Sequence, residues 1–198
     1  MNLALFDFDG TITTTDTFTP FLRYSAHPAR LVAGAVVLSP VMVGHRLGVL
    51  TSRSSRPLVS RFAFSGRDAV MLRAAGAEYA ATFLQRVTRP QALERIAWHK
   101  VRGDKVVVVS ASLDVYLAHW CRALGVEVIC TELEERKGRM TGRYVDGDCS
   151  GAEKLRRIRG RYDVASYARI YAYGDTDEDC EMLSLAHERY FRWTRVVV

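Results

Sequence analysis

The chain is expected to fold as an α/β protein, a Rossmann-like parallel sheet with helices on both faces, with a helical cap inserted after the first strand. Three features of the sequence lead there. Outside residues 13–88, short apolar or β-branched runs alternate with amphipathic helical stretches, the pattern of a parallel sheet wound with crossover helices. Over 18–88 the alternation gives way to a helical pattern dominated by Ala, Leu, Val and Arg. The acids and hydroxyls that could do chemistry stand just beyond the C-terminal ends of strands, where open sheets bind their ligands.

In chain order, residues 2–8 are a short apolar run ending in acids and read as a buried strand. Residues 11–17 form a polar, Thr-rich loop, and Pro28, Pro40 and Pro57 punctuate the helical stretch after it. Residues 90–101 read as an amphipathic helix with Leu93, Ile96, Ala97 and Val101 on one face. The β-branched run 105–109 is too short for a helix and leads into Ser110. A helix over 113–124 stops at Gly125, and a strand over 126–130 follows. Residues 139–145 read as half of a small hairpin ending in the Asp146-Gly147 turn. A basic helix over 152–159, a strand over 169–173, a helix over 178–186 and a last strand over 189–193 complete the chain. The expected division is a core of 1–12 and 89–198 and a cap of 13–88.

With 198 residues, 48% of them apolar and 25% charged, the chain can bury a real core. Disordered, collagen-like and disulfide-stapled classes are excluded. The net charge of +6 sits in the cap, where nine Arg and no Lys face only Asp16, Asp68 and Glu78. That asymmetry points to an anionic substrate or surface. Arg outnumbers Lys 24 to 4 overall, so part of the excess can equally be solvated surface. Residues 31–44 carry no charge. A bilayer-crossing helix needs about 20 apolar residues, so this run reads as the interior of the helical insertion or as a hairpin lying in a membrane surface. Nucleic acid is a poor fit, because the arginines are interleaved with an apolar run rather than an aromatic stacking platform.

Cys121, Cys130, Cys149 and Cys180 lack metal-ligand spacing and are expected to be reduced thiols of a cytoplasmic protein. The five histidines form no zinc pattern. Residues 1–7 have no basic region and end in an acid, unlike a signal peptide.

Asp7 and Asp9, in Asp7-Phe8-Asp9-Gly10-Thr11, are two apart and share one face of an extended chain. Such a pair can hold Mg²⁺ or divide the work of nucleophile and acid/base, although acids at strand ends also stabilise turns. Ser110 would place a hydroxyl beside the free N–H groups of a helix start, an anion cradle or simply an N-cap. Lys154, the only lysine beyond residue 137, offers a cation to screen a carboxylate from a phosphate, or is a solvated helix residue. The acids of 175–179 invite a calcium-loop reading. It fails, because the sixth and twelfth loop positions are Cys180 and Ala186. A divalent site shared with Asp7 and Asp9 accounts for them better.

Taken in order, D-x-D-G-T, a strand-end Ser, a lone Lys and G-D-x-x-x-D resemble the four motifs of the haloacid dehalogenase superfamily of phosphatases, over nearly the whole chain. A helical insertion straight after the first motif is similar to the subclass typified by phosphoserine phosphatases. The phrase Thr131-Glu132-Leu133-Glu134, Gly138-Arg139-Met140-Thr141-Gly142 and Cys149-Ser150-Gly151-Ala152-Glu153-Lys154 resembles a bacterial branch that includes phosphatidylglycerophosphatase C-like proteins.

The resemblance implies a two-step phosphoryl transfer. Asp7 is then the nucleophile and Asp9 the acid and later the base, while Ser110 and Lys154 bind phosphoryl oxygens. It implies Mg²⁺, held by Asp7, the Asp9 backbone carbonyl and Asp175, with Asp179 behind them. Asp16 and Arg61 match the cap positions that choose the substrate, and Thr11 and Ser112 join them as expected substrate-binding residues. Glu178 stands where the relatives tend to have a neutral Asn, and there it would repel a dianion unless turned away.

The expected function is a Mg²⁺-dependent phosphomonoester hydrolase acting through an aspartyl-phosphate. Its substrate would be a phospholipid headgroup phosphate met at the inner face of a membrane, or a small soluble phosphomonoester such as phosphoserine. Transfer to an acceptor alcohol, and a non-catalytic membrane- or anion-binding module, are the alternatives.

Overall fold

The protein is described by a computed structural model covering residues 1–26, 28–37, 39, 43 and 52–196. Strand β1 (Leu3–Phe6) is apolar throughout and fully buried, as a central parallel strand must be. It is flanked by β2 (Lys105–Leu113) and β6 (Ile170–Gly174), both parallel to it. Strand β3 (Glu127–Thr131) extends the sheet beyond β2; β7 (Glu188–Phe191) and β8 (Thr194–Val196) extend it beyond β6. The order is β3-β2-β1-β6-β7-β8, with only β8 antiparallel.

Alternate side chains of β1 serve two faces. Ala4 and Phe6 join a core with Ala92 and Ile96 of α5 (Pro90–Val101) and with Tyr116, Leu117 and Trp120 of α6 (Asp114–Leu124). Leu3 and Leu5 join a second core with Ile158 of α7 (Ala152–Arg161) and with Met182 and Leu183 of α8 (Cys180–Ser184). Helices therefore cover both faces of a parallel sheet, as expected.

Several boundaries differ from the sequence reading, each for a local reason. Strand β2 runs on to Leu113, with irregular pairing to β3 between Ser110 and Leu113, so Ser110 belongs to the strand rather than to a helix start. The hairpin pairs β4 (Leu133–Arg136) with β5 (Arg139–Tyr144) and turns at Lys137-Gly138, both at positive φ; Asp146-Gly147 lies after it. The stretch read as one last strand splits at Arg192 and Trp193, whose φ values of 49° and 65° reverse the chain into β8. The Trp193 indole N–H anchors that reversal on the Thr11 carbonyl at 3.1 Å. The helix expected over 178–186 is shorter, because a tight turn over Asp177–Asp179, closed by a capping box between Thr176 and Asp179, precedes α8.

Residues 13–88 contain helices α1 (Phe18–Ser25), α2 (Pro28–Val37), α3 (Ser52–Phe64) and α4 (Ala69–Tyr79). A wider turn over Ala80–Leu84 and a final turn over Gln85–Val87 prolong α4. Thr13 and Thr88 pair where the chain leaves and re-enters the sheet region. The Arg89 guanidinium clasps this crossing by donating to the carbonyls of Thr13 and Gly10. Helix α4 docks on α6 at Gly76, where a Cβ would come within 1.9 Å of the Val115 carbonyl oxygen. Helix α3 rests on β5 at Gly142, and α2 meets α3 where Gly34 faces the Phe62 ring.

Of the uncharged run 31–44, α2 carries the first half, with Val36 and Val37 exposed, and residues 38, 40–42 and 44 lie outside the described residues. Among the described residues no helix is long and apolar enough to cross a membrane. All four cysteines are free, three of them buried and Cys180 exposed.

Candidate active site

The C-terminal ends of β1, β2 and β6 meet at one point, and the first and last deliver acids there. Asp7 continues the extended backbone of β1, its N–H donating to the Tyr173 carbonyl at 2.9 Å. The chain then leaves through Gly10, at φ +81°, and a Cβ at Gly10 would fall 2.3 Å from Asp175 Oδ2. Only glycine lets the Asp175 carboxylate lie against this turn. Carboxylate oxygens of Asp7, Asp175 and Asp179 lie within 4.8 Å of one another.

Lys154, buried at the start of α7, donates to Asp7 Oδ1 at 2.6 Å and Asp179 Oδ1 at 2.5 Å. Asp179 Oδ2 accepts the backbone N–H groups of Asp175 and Thr176, so that side chain is spent on holding the loop. Burial raises the Asp7 carboxyl well above the usual range, and Asp179 adds to this against the opposing pull of Lys154. Burial by itself would weaken the Lys154 ammonium, but Asp7 and Asp179 more than reverse it and keep the lysine charged. Three carboxylates around one ammonium leave the cluster negative. Its hard, all-oxygen donor set suits Mg²⁺, with Asp7 and Asp175 the residues that could hold it.

Asp9 turns away from this cluster. Its Oδ1 accepts from the Thr17 N–H at 2.8 Å and the Thr17 hydroxyl at 2.6 Å, and its Oδ2 accepts from the Ser112 hydroxyl at 2.6 Å. The Tyr116 hydroxyl in turn donates to Ser112 Oγ. Burial pushes the Asp9 carboxyl up to about 6, against these hydrogen bonds. A carboxyl titrating near neutrality can both give and take a proton.

A cavity of about 1220 Å³ opens above these groups. Asp7, Asp9, Ser110, Lys154 and Asp175 line its core side; Phe18, Leu22, Val59 and Phe62 line the inserted helices, with Arg23, Arg30 and Arg56. Ser110 Oγ accepts the Ser112 N–H at 3.1 Å, which leaves its own proton for another acceptor.

The residues expected to choose the substrate are placed differently. Thr11 donates to Asp175 Oδ1 at 3.0 Å and Ser112 to Asp9; neither lines the cavity. Asp16 does line it, but its carboxylate caps α1 by accepting the N–H groups of Phe18 and Thr19. Arg61 is exposed and outside the cavity, its backbone packed against Gly142, while Arg56 occupies the cavity face of α3. Five residues of helix turn a side chain by about 140°, so the two arginines cannot share a face. The spacing of Arg56, Val59 and Ala63 was the signal for the face that lines the cavity. Thr17, the main support of Asp9, had no such signal.

Paired acids, a serine of β2 and a buried lysine from α7 thus meet at the carboxyl edge of a parallel sheet. Residues 4–184 match the model of the haloacid dehalogenase-like hydrolase family, and the chain belongs to that family. It is 32% identical over 194 residues to Protein CicA of Caulobacter vibrioides, covering 96% of this chain and 85% of that protein. A crystal structure of a protein with unknown function from Bordetella pertussis Tohama I superposes with a TM-score of 0.83 at 24% identity, covering 96% of this chain and 89% of that one. A phosphoserine phosphatase solved as a phospho-aspartyl intermediate analogue superposes at 0.66 with 19% identity, covering 96% and 85%. The protein is thus a hydrolase with the fold of phosphoserine phosphatases.

Proposed function

We propose that the protein is a Mg²⁺-dependent phosphomonoester hydrolase that forms an aspartyl-phosphate on Asp7. The observation that carries this reading is the division between its two neighbouring acids. Asp7 is held by Lys154 beside further carboxylates, and Asp9 is set apart on Thr17 and Ser112 with its carboxyl near 6.

An oxygen of Asp7 attacks phosphorus as the ester P–O bond breaks, and Asp9 gives its proton to the leaving oxygen. Asp9, now a carboxylate, takes a proton from water as that water attacks the phosphorus of the aspartyl-phosphate. The acyl–phosphate bond breaks, and Asp7 is restored. Lys154 screens Asp7 from the incoming dianion, and the Ser110 hydroxyl donates to a phosphoryl oxygen. A Mg²⁺ held by Asp7, the Asp9 carbonyl and Asp175, with Asp179 behind them, would supply the positive charge that the negative cluster and phosphate share.

We assign residues 13–88 the part of a cap that shields the site from water and selects the substrate. The cavity exceeds what a phosphorylated amino acid fills, and its walls combine apolar side chains with arginines. Those features support an amphiphilic phosphate ester such as a phospholipid headgroup phosphate. Exposed Tyr24, Val36, Val37 and Leu58 on the cap helices support a peripheral meeting with a membrane surface from the cytoplasmic side. The fold likeness to phosphoserine phosphatases favours the second reading, a small soluble phosphomonoester.

Phosphate release from an aryl phosphate, phosphoserine and phosphatidylglycerophosphate in mixed micelles, with Mg²⁺ and with chelator, tests both. Mg²⁺-dependent release strongest on the lipid is the expected result. A preference for phosphoserine would establish the second reading, and no release from any ester would remove the first and second alike.

A further inference from the structure

Arg56 lies on the cavity face of α3, yet its guanidinium is spent on the core. Nε and Nη2 donate to the two carboxylate oxygens of Asp148 at 3.0 and 3.1 Å, and Nη2 also donates to Glu178 Oε2 at 2.8 Å. The two acids sit on different core loops that are tied together, since the Gly151 N–H donates to the Glu178 carbonyl at 3.0 Å. The first of these loops runs straight into α7, where the Lys154 N–H donates to the Gly151 carbonyl at 3.0 Å. The segment that carries Asp148 and Lys154 is therefore also the one that ties down the loop of Glu178.

The Asp148 carboxylate is only 3% exposed and the Arg56 side chain 19%, so this is a largely desolvated contact rather than a surface ion pair. Glu178 differs from Asp148 in one respect that matters: it lines the same cavity as Asp7 and Asp175. An unpaired acid there opposes the arrival of a phosphate dianion.

We propose that Arg56 is a positioning residue with two linked tasks: it latches the inserted helices onto the core, and by doing so it offsets the charge of Glu178 beside the phosphoryl site. The second task rests on the phosphomonoesterase reading given above. Closure and substrate binding are then coupled. With the latch open Glu178 stands unpaired and repels phosphate, and with it shut the potential of the site turns in favour of an anion. Opening the latch also helps to expel inorganic phosphate after turnover.

The test compares wild type with Arg56→Met, Arg56→Lys and the double variant Arg56→Met/Glu178→Gln. Two quantities are read: amide hydrogen exchange over 52–64, and kcat and KM for an aryl phosphate. Arg56→Met is expected to speed exchange in α3 by about tenfold and to raise KM by about tenfold with a smaller change in kcat. Arg56→Lys keeps the charge but not the forked geometry. It is expected to exchange fast while holding KM within about threefold of wild type.

Glu178→Gln in the Met background is expected to restore KM without restoring slow exchange, which a merely structural role of Arg56 would not permit. A KM left high in the double variant overturns the charge-offsetting task, and unchanged exchange in Arg56→Met overturns the latch. If wild type hydrolyses no phosphate ester, the functional reading fails, while exchange still decides the latch. Should Arg56→Met not fold, Arg56→Lys supplies the exchange comparison. Glu178→Gln alone then decides the charge task, which a raised KM would refute.

Discussion

At the residue scale, two neighbouring acids of one motif are separated by their hydrogen bonds. Asp7 faces Lys154 and two further carboxylates, whereas Asp9 receives three donors from Thr17 and Ser112. Replacing Asp7 by Asn removes the nucleophile, and turnover should fall by roughly a thousandfold or more. The same change relieves repulsion among buried carboxylates. In chelator, the variant should therefore melt above wild type, which differential scanning calorimetry reads directly. Thr17→Val removes the hydroxyl at 2.6 Å from Asp9 and leaves the backbone donor in place. The acid step should suffer first, so kcat should fall about tenfold for an alkyl phosphate, whose leaving oxygen needs a proton, and less for an aryl phosphate. Equal losses on both substrates would count against Asp9 as the acid.

At the element scale, contacts between helices and strands hold the site's supports in place. Helix α4 approaches α6 so closely at Gly76 that no side chain fits against the Val115 carbonyl. Gly76→Ala should cost about 1–3 kcal/mol in a urea titration, because the obstruction is backbone and cannot rotate away. At the end of α5, His99 is fully buried between Asp104 Oδ2 at 2.8 Å and the Tyr173 hydroxyl at 2.9 Å. Burial lowers its pKa below the ordinary value, against the pull of Asp104. The unfolded chain then takes up a proton more readily than the folded one. The stability that His99 contributes is present above its ordinary pKa of about 6.5 and is lost as pH falls through the lower folded value. The stability gap between wild type and His99→Gln should shrink from pH 7.5 toward pH 5 in thermal melts; a constant gap would refute this.

At the scale of the whole molecule, the inserted helices and the sheet share one large cavity, closed on one side by the Arg56 contact. On the proposed reading, chemistry sits on the core side and shape selection on the helical side. Filling the apolar wall should change the substrate rather than the reaction. Leu22→Trp is expected to lower kcat/KM for a lipid phosphate relative to an aryl phosphate by about tenfold. An unchanged ratio would show that the body of the substrate lies elsewhere.

Much of this was legible from the order of residues. Strand runs such as 3–6 and 105–109 are read from their apolar, β-branched make-up, because a buried parallel strand accepts little else. The places of Asp7 and Asp175 were legible because polar groups on an open sheet gather beyond its strand ends, whereas Ser110 lies within β2 and Lys154 on α7. Side-chain direction was not legible in the same way. Thr11 and Ser112 turned out to orient carboxylates, and the arginine of α3 that lines the cavity is Arg56 rather than Arg61.

The sequence by itself determined the sheet, the inserted helices and the kinds of group at the site, since these depend on local pattern and spacing. Only the tertiary structure decided which donors hold Asp9, that Arg56 reaches two core acids, and that Glu178 meets a cation. Apart from Thr17, eight residues from Asp9, those contacts join residues 92 to 122 positions apart, and their existence depends on how helices dock, which no local periodicity encodes.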